Sequence, residues 1–404
     1  MKVYNTMTRR RERFQARVPG KVSMFVCGPT VYNLLHVGHA RTYTFFDVVA
    51  RYLSHLGYQV EFQMNITDVD ERITRAAQDT GTDPTSLAKN YAKAFLEDMT
   101  RLKILTVKKY HEVSRYIDEM IHQISLLIEK RHAYIADGEV YFDTSTYPGY
   151  GKLSHQTRQE LLMKPIELSL RKRNLVDFAL WGPVMLLDGK WDSPWGMGSP
   201  GWHIQDTAIT LTNLGPQYDI HGGAYDLVYP HHEAEIAEAE SLTSLKPLVR
   251  YWVHTGLVNI RGSKMSKSAG NIYPVRDLLG KLGPNAVRLY LLSHHYRKDL
   301  EFEDKQAKKI AGAYSAMKEK VRLIEDKPRI GRGNHLTDRL LKSFYAAVNN
   351  DFDTPRAIIA MRKLINEGSR TRDPKIVESY YNALRTMSEI LGVDLFEKPQ
   401  REIR

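Results

Sequence analysis

Phe25-Val26-Cys27-Gly28-Pro29-Thr30-Val31-Tyr32-Asn33-Leu34-Leu35-His36-Val37-Gly38-His39-Ala40-Arg41 is the stretch on which the reading of this chain turns. The apolar run Met24-Phe25-Val26 reads as a short buried strand, and Gly28-Pro29 ends it. From Ala40 to Leu53 the apolar residues return at helical spacing. A strand, a Gly/His turn and a helix N-terminus make a site for phosphates, because the first N–H groups of the helix lack intrahelical partners and its dipole favours negative charge. His36 and His39 can face one phosphate, and Gly38 lets a flat ring lie close to the backbone. The stretch also holds Cys27, the single cysteine of the chain.

Working outward, Tyr58–Ile66 alternates as a strand, and Thr67 or Asp68 is placed to cap the helix after it. Strand–helix–strand order predicts a parallel sheet with right-handed crossovers, whose ligands bind at the carboxyl ends of the strands. From residue 96 to 200 the pattern becomes mixed: an amphipathic helix over 116–130, a strand at Glu139–Asp143, and a Gly/Pro/Trp-rich loop over 181–202. Sheet chemistry returns over 201–275, with a strand and glycine turn at Asp219–Leu227 and a helix opening near Pro230. Arg261–Asn271 reads as a basic loop of small residues. Beyond residue 276 the spacing is helical, notably over 305–325, 337–350, 354–368 and 374–391.

The chain has 404 residues, room for two or three domains. Its net charge of +11 suits a polyanion such as nucleic acid, or simply a basic soluble protein. No apolar run reaches the roughly 18 residues of a membrane span, no h-region follows the N-terminal charges, and one cysteine allows no internal disulfide. These features predict a cytoplasmic protein.

Alone, His-x-Gly-His or a Lys/Ser loop is weak. In this order on an α/β pattern, His36-Val37-Gly38-His39 and Lys264-Met265-Ser266-Lys267-Ser268 resemble the two signatures of class I aminoacyl-tRNA synthetases. Cys27-Gly28-Pro29-Thr30-Val31-Tyr32, Asn65-Ile66-Thr67-Asp68-Val69-Asp70, Gly201-Trp202-His203-Ile204, Asp219-Ile220-His221-Gly222-Gly223 and Pro230-His231-His232-Glu233-Ala234-Glu235 narrow the likeness to the cysteinyl-tRNA synthetase family, over residues 3 to 395. The resemblance implies an α/β, Rossmann-like catalytic domain in two halves, 1–95 and 201–275, around a connective insertion at 96–200. After it come a stem-contact region at 276–303, an all-α helical bundle at 304–396 that packs along tRNA, and a tail at 397–404. The family's small anticodon-binding domain has no counterpart in these residues.

The implied activity is cysteine–tRNA ligation: cysteine and ATP with Mg2+ give cysteinyl-adenylate, then cysteinyl-tRNA. The alternatives are a paralogue that delivers its adenylate to a non-tRNA amine, and an inactive descendant that binds RNA or a partner. In the implied scheme His36, His39 and Lys267 are catalytic, and Gly38, His39, Asp226, Lys264 and Lys267 bind ATP. Cys27, Thr67, Trp202 and His221 form the amino-acid pocket. The family's Zn2+ is held by two cysteines, a histidine and a glutamate, which fall on Cys27, Asp206, His231 and Glu235. Two readings of Asp206 compete. A carboxylate is an accepted zinc ligand and keeps the formal charge, so zinc stays but binds less tightly. Otherwise zinc is lost, and two buried carboxylates select a cationic or hydroxylic side chain. The three intact ligands favour the first. The protein is expected to act as a monomer, with Lys318, Lys320, Arg322, Arg339 and Lys342 of the bundle available to tRNA phosphates.

Overall fold

Five strands run in one direction through the middle of the molecule, in a computed structural model that describes residues 1–164, 169–182, 191–265, 270–328 and 335–396. In chain order they are β1 (Lys21–Val26), β2 (Gln59–Ile66), β3 (Lys109–Glu112), β4 (Tyr218–Ala224) and β5 (Val249–Thr255). Their spatial order is β5-β4-β1-β2-β3, and every pairing is parallel. The chain winds from β1 outward to β3, then returns on the other side of β1 with β4. The crevice between β1 and β4 is therefore the point where strand order reverses, the usual ligand position on such sheets.

Both faces of this sheet are covered, as a parallel sheet requires. Met24 and Val26 face a core shared with helix α1 (Val37–His55), while Phe25 and Cys27 face a second core. That second core includes α2 (Ile117–Glu129), α3 (Trp202–Leu214) and α4 (Glu233–Thr243). A four-stranded sheet built from 133–142, 178–182 and 199–200 belongs to the insertion. The C-terminal helices α5 (Pro284–Leu292), α6 (Asp304–Glu325), α7 (His335–Asn349), α8 (Thr354–Arg370) and α9 (Pro374–Leu391) continue the first core.

Several expectations need revision. The helix after β2 is capped by Asp70, whose carboxylate accepts from Arg72 N, rather than by Thr67 or Asp68. Thr67 instead bridges Thr30 as an extension of the parallel pairing. Gly222-Gly223 is strand, not turn. A Cβ on Gly222 would lie 2.0 Å from the Phe46 ring, so glycine lets α1 seat directly on β4. β3 lies inside the range expected for the insertion yet forms the edge of the main sheet. A two-residue strand, Leu300–Glu301, interrupts the C-terminal helical run and pairs with Val258–Ile260. The expected loop over 181–202 and the tail at 397–404 lie partly or wholly outside the described residues.

A buried ion pair ties the helical C-terminal part to α1. Asp47 of α1 and Arg288 of α5 meet at 2.7 Å, both side chains fully buried. Arg288 also donates to Leu102 O and to Leu391 O at the end of α9. A Cβ on Gly392 would stand 2.2 Å from the guanidinium, so only glycine admits it. Burial raises the Asp47 carboxyl, but Arg288 and Arg51 outweigh it and hold the group below the usual range. A depressed carboxyl contributes stability above its unfolded pKa and loses it as pH falls through the folded one.

Arg288→Met is expected to lose about 3–5 kcal/mol of unfolding free energy, because it leaves a buried carboxylate with the partly exposed Arg51 and the Thr106 hydroxyl as its remaining partners. Urea unfolding at pH 7 checks this. The gap between wild type and variant should narrow below about pH 4, where the carboxylate protonates.

Candidate active site

The reversal point holds a cavity of about 310 Å³. Its walls come from the β1–α1 connection (Cys27 to His39), from the end of β2 (Asn65), from α3 (Trp202, Asp206), and from the segments after β4 and β5. The two ends of the cavity differ in chemistry.

At the helix end, His36 is the N-cap of α1, and its Nδ1 accepts from Gly38 N at 3.1 Å. The His36 and His39 rings stack at 3.8 Å. A Cβ on Gly38 would stand 2.8 Å from the His36 ring, so the close approach foreseen at Gly38 is made by this neighbour's imidazole. The rim opposite carries Asp226 and Lys264, which pair with each other at 2.6 Å. Both were expected to meet ATP. Lys267 lies outside the described residues.

At the strand end, Cys27, Asp206 and His231 line the cavity, with Glu235 behind them. His231 Nε2 stands 3.1 Å from Asp206 Oδ2 and 3.2 Å from Glu235 Oε1. The ligand atoms of Cys27, Asp206, His231 and Glu235 all lie within 4.8 Å of one another. His231 sits in the irregular turn before α4 and Glu235 in its first turn, so the two side chains meet across the helix start. A second quartet, Cys27, His221, His232 and Glu235, meets the same distance condition. Motif reading had not singled out His232, although it adjoins His231.

These residues fit a cation. Asp206 Oδ1 and both Glu235 carboxylate oxygens are buried without a hydrogen-bond donor among the described residues. Burial, then the neighbouring carboxylates, pushes the Glu235 carboxyl and the Cys27 thiol well up. Burial likewise raises Glu238, with Asp206 adding to it. Leaving so many acids unpaired in a core is costly unless a positive charge joins them. His203, His221 and His232 are pushed well down by burial first and then by neighbouring histidines, His231 among them in each case, so they are neutral and able to donate a lone pair.

Other expected pocket residues are redistributed. Trp202 is about one-third exposed, stacks on His231 at 4.2 Å and covers it. His221 is fully buried one layer below the cavity, with Nε2 3.3 Å from Cys27 Sγ. Thr67 is buried behind the wall, where its hydroxyl accepts from Asn65 Nδ2. Asn65 lines the cavity instead and accepts from Gly28 N. Arg72 was missed: it lines the cavity, its guanidinium lying 5.5 Å from the Tyr32 ring and 5.6 Å from Trp202. Its position two residues after the capping Asp70 was the available signal, since Asp70 fixes it through Nε at 2.7 Å.

Residues 13–312 match the class I (C) tRNA synthetase catalytic domain, and residues 343–396 match the DALR domain. The solved structures of similar fold include a LeuRS from Agrobacterium radiobacter in a ternary complex with tRNA and LeuAMS. It has a TM-score of 0.68 at 12% identity and covers 93% of this chain and 84% of that one. Methionyl-tRNA synthetase from Mycobacterium tuberculosis, bound to methionyl-adenylate, gives 0.63 at 16%, covering 92% and 90%. Fold and site thus define a class I aminoacyl-tRNA synthetase. The Cysteine--tRNA ligase of Pelotomaculum thermopropionicum is 41% identical over 97% of this chain and 85% of the relative. That of Thermoplasma volcanium is 41% identical over 92% and 82%. The chain belongs to the cysteine–tRNA ligase family.

Gly38→Ala is expected to push the His36 ring off its cap and cost about 0.5–2 kcal/mol, the range for a lost N-cap. Calorimetry would register this as a lower Tm with the fold retained.

Proposed function

We propose that this chain is a cysteine–tRNA ligase that activates cysteine with ATP and passes the cysteinyl group to tRNA. The observation that carries the reading is the two-ended cavity. A histidine turn on a helix N-terminus stands at one end, and a thiol, an imidazole and two carboxylates converge at the other.

The α-phosphate of ATP would lie over Gly38 and the His36–His39 pair, where helix dipole and imidazoles favour the charge that builds on phosphorus oxygens. The ribose hydroxyls would take Asp226 from Lys264, freeing that lysine for the phosphates. Lys267, placed by the family signature, would hold the departing pyrophosphate; the step is otherwise one of positioning.

Cys27, Asp206, His231 and Glu235 would hold Zn2+, which when bound supplies a Lewis acid that prefers a thiolate to a hydroxyl. Asp206 keeps the charge of the site while lowering its softness, so affinity for zinc is reduced rather than abolished. Trp202 and Arg72 would close the amino-acid side of the cavity. Among the described residues no helix is long and apolar enough to cross a membrane. The exposed Arg322, Arg339 and Lys342 of the C-terminal helices suit phosphate contacts with tRNA.

Pyrophosphate exchange with cysteine but not serine, about one zinc per chain by metal analysis, and charging of tRNA are the expected outcomes. Exchange without tRNA charging would favour transfer to another amine, and no exchange with any amino acid would refute an enzyme. Lys267→Ala should slow exchange by about 3 kcal/mol of barrier, the scale of one lost electrostatic contact.

A further inference from the structure

Resting on the reading that these residues bind a metal, we propose that the metal pocket has two positions that share Cys27 and Glu235. An outer position is completed by Asp206 and His231, which line the cavity. An inner one is completed by His221 and His232, which do not.

The inner set comes within about 0.2 Å of the spacing of a ligand shell. Cys27 Sγ stands 3.3 Å from His221 Nε2 and 3.1 Å from His232 Nε2. Glu235 Oε2 is 3.6 Å from His221 Nε2, and Oε1 is 4.0 Å from His232 Nε2. A tetrahedral ion with bonds of about 2.0–2.3 Å separates its ligands by roughly 3.3–3.8 Å. Both imidazoles are also oriented as metal ligands are. His221 Nδ1 is held by the Tyr218 hydroxyl at 2.5 Å. His232 Nδ1 is held by His254 Nε2 at 2.8 Å, and His254 is anchored in turn on Thr6 Oγ1. Each ring therefore turns Nε2 toward Cys27, the partner arrangement that fixes tautomer and direction in metal sites. Gly223 leaves room for this, since a Cβ there would lie 3.1 Å from the His232 ring.

Glu235 can serve both positions because its oxygens diverge, Oε1 toward His231 and Oε2 toward His221, and neither accepts a hydrogen bond among the described residues. The inner donors are one sulfur, two nitrogens and one oxygen; the outer ones are one sulfur, one nitrogen and two oxygens. Imidazole suits zinc better than a second carboxylate does, so the inner position is the resting one. A thiol entering the cavity meets only the outer ligands, and its sulfur makes up the deficit there. Asp206 is thus the element that lets substrate draw the ion outward.

X-ray absorption on the zinc-loaded full chain tests this by counting imidazoles and sulfurs. The expected result is two imidazoles and one sulfur without cysteine, and one imidazole and two sulfurs with saturating cysteine. Asp206→Asn should retain zinc with less than about a 10-fold loss of affinity by chelator competition. His221→Gln combined with His232→Gln should lose at least about 100-fold, beyond what a supporting residue costs, with circular dichroism confirming the fold. One imidazole in both states, or an empty Asp206→Asn protein, would overturn the inner position. Two imidazoles in both states would overturn the outward shift. A wild-type chain that takes up no zinc would instead overturn the metal reading itself. The wild-type spectra decide the question even if the double variant does not fold.

Discussion

Two carboxylates and a thiol held together at the strand end of a cavity, Cys27 and Asp206 in its wall and Glu235 behind them, are the constraint around which this structure is arranged. Cys27 leaves the end of β1, Asp206 projects from α3, and His231 and Glu235 come from the start of α4. Those elements are far apart in the chain and meet only because the sheet reverses its strand order between β1 and β4. Among the described residues the ion-pair partners of Asp206 and Glu235 are histidines rather than lysine or arginine, and three of the carboxylate oxygens have no hydrogen-bond donor. A core that spends this much on buried acids is specific for what neutralises them. A thiol and imidazoles as donors would suit a borderline transition metal better than an organic cation.

The opposite end of the cavity uses the cheaper physics of a helix N-terminus. His36 spends its Nδ1 on Gly38 N and stacks its ring on His39, presenting a preorganised pair of imidazoles. The distance between the two ends is set by α1, which is fastened at several points. Arg41 near its start donates to the carbonyls of Gly256 and Leu257 after β5. Asp47, one and a half turns on, receives Arg288 from the C-terminal half. The helical domain therefore packs on the same helix whose N-terminus carries His36 and His39.

Much of this was legible in the chain because it is local. Periodicity placed β1, α1, β2 and the C-terminal helices, and the order of the short motifs named the family and the ligand set that the structure brings together. What escaped was decided by neighbours in space. Thr67 has the side chain of a good cap, yet its backbone is taken by pairing with Thr30, and the capping passes to Asp70. Gly222-Gly223 has the composition of a turn, but the Phe46 ring demands the missing Cβ, and the pair stays extended. Arg72 belongs to no recognised motif, and its place on the cavity wall follows from the Asp70 carboxylate that fixes it and from the nearby rings of Tyr32 and Trp202.

The sequence by itself determined the parallel α/β class and the histidine turn at the head of α1, because residue type and short-range spacing suffice for these; Cys27, Asp206, His231 and Glu235 were grouped by the family resemblance, which spacing alone does not supply. Only the tertiary structure decided that His221 and His232 close on the same sulfur, that Thr67 stands behind Asn65, and that Asp226 rests on Lys264. Those are distances between segments that no periodicity relates. They are fixed by strand order, by glycines that let helix and sheet touch, and by the cost of leaving buried charge unanswered.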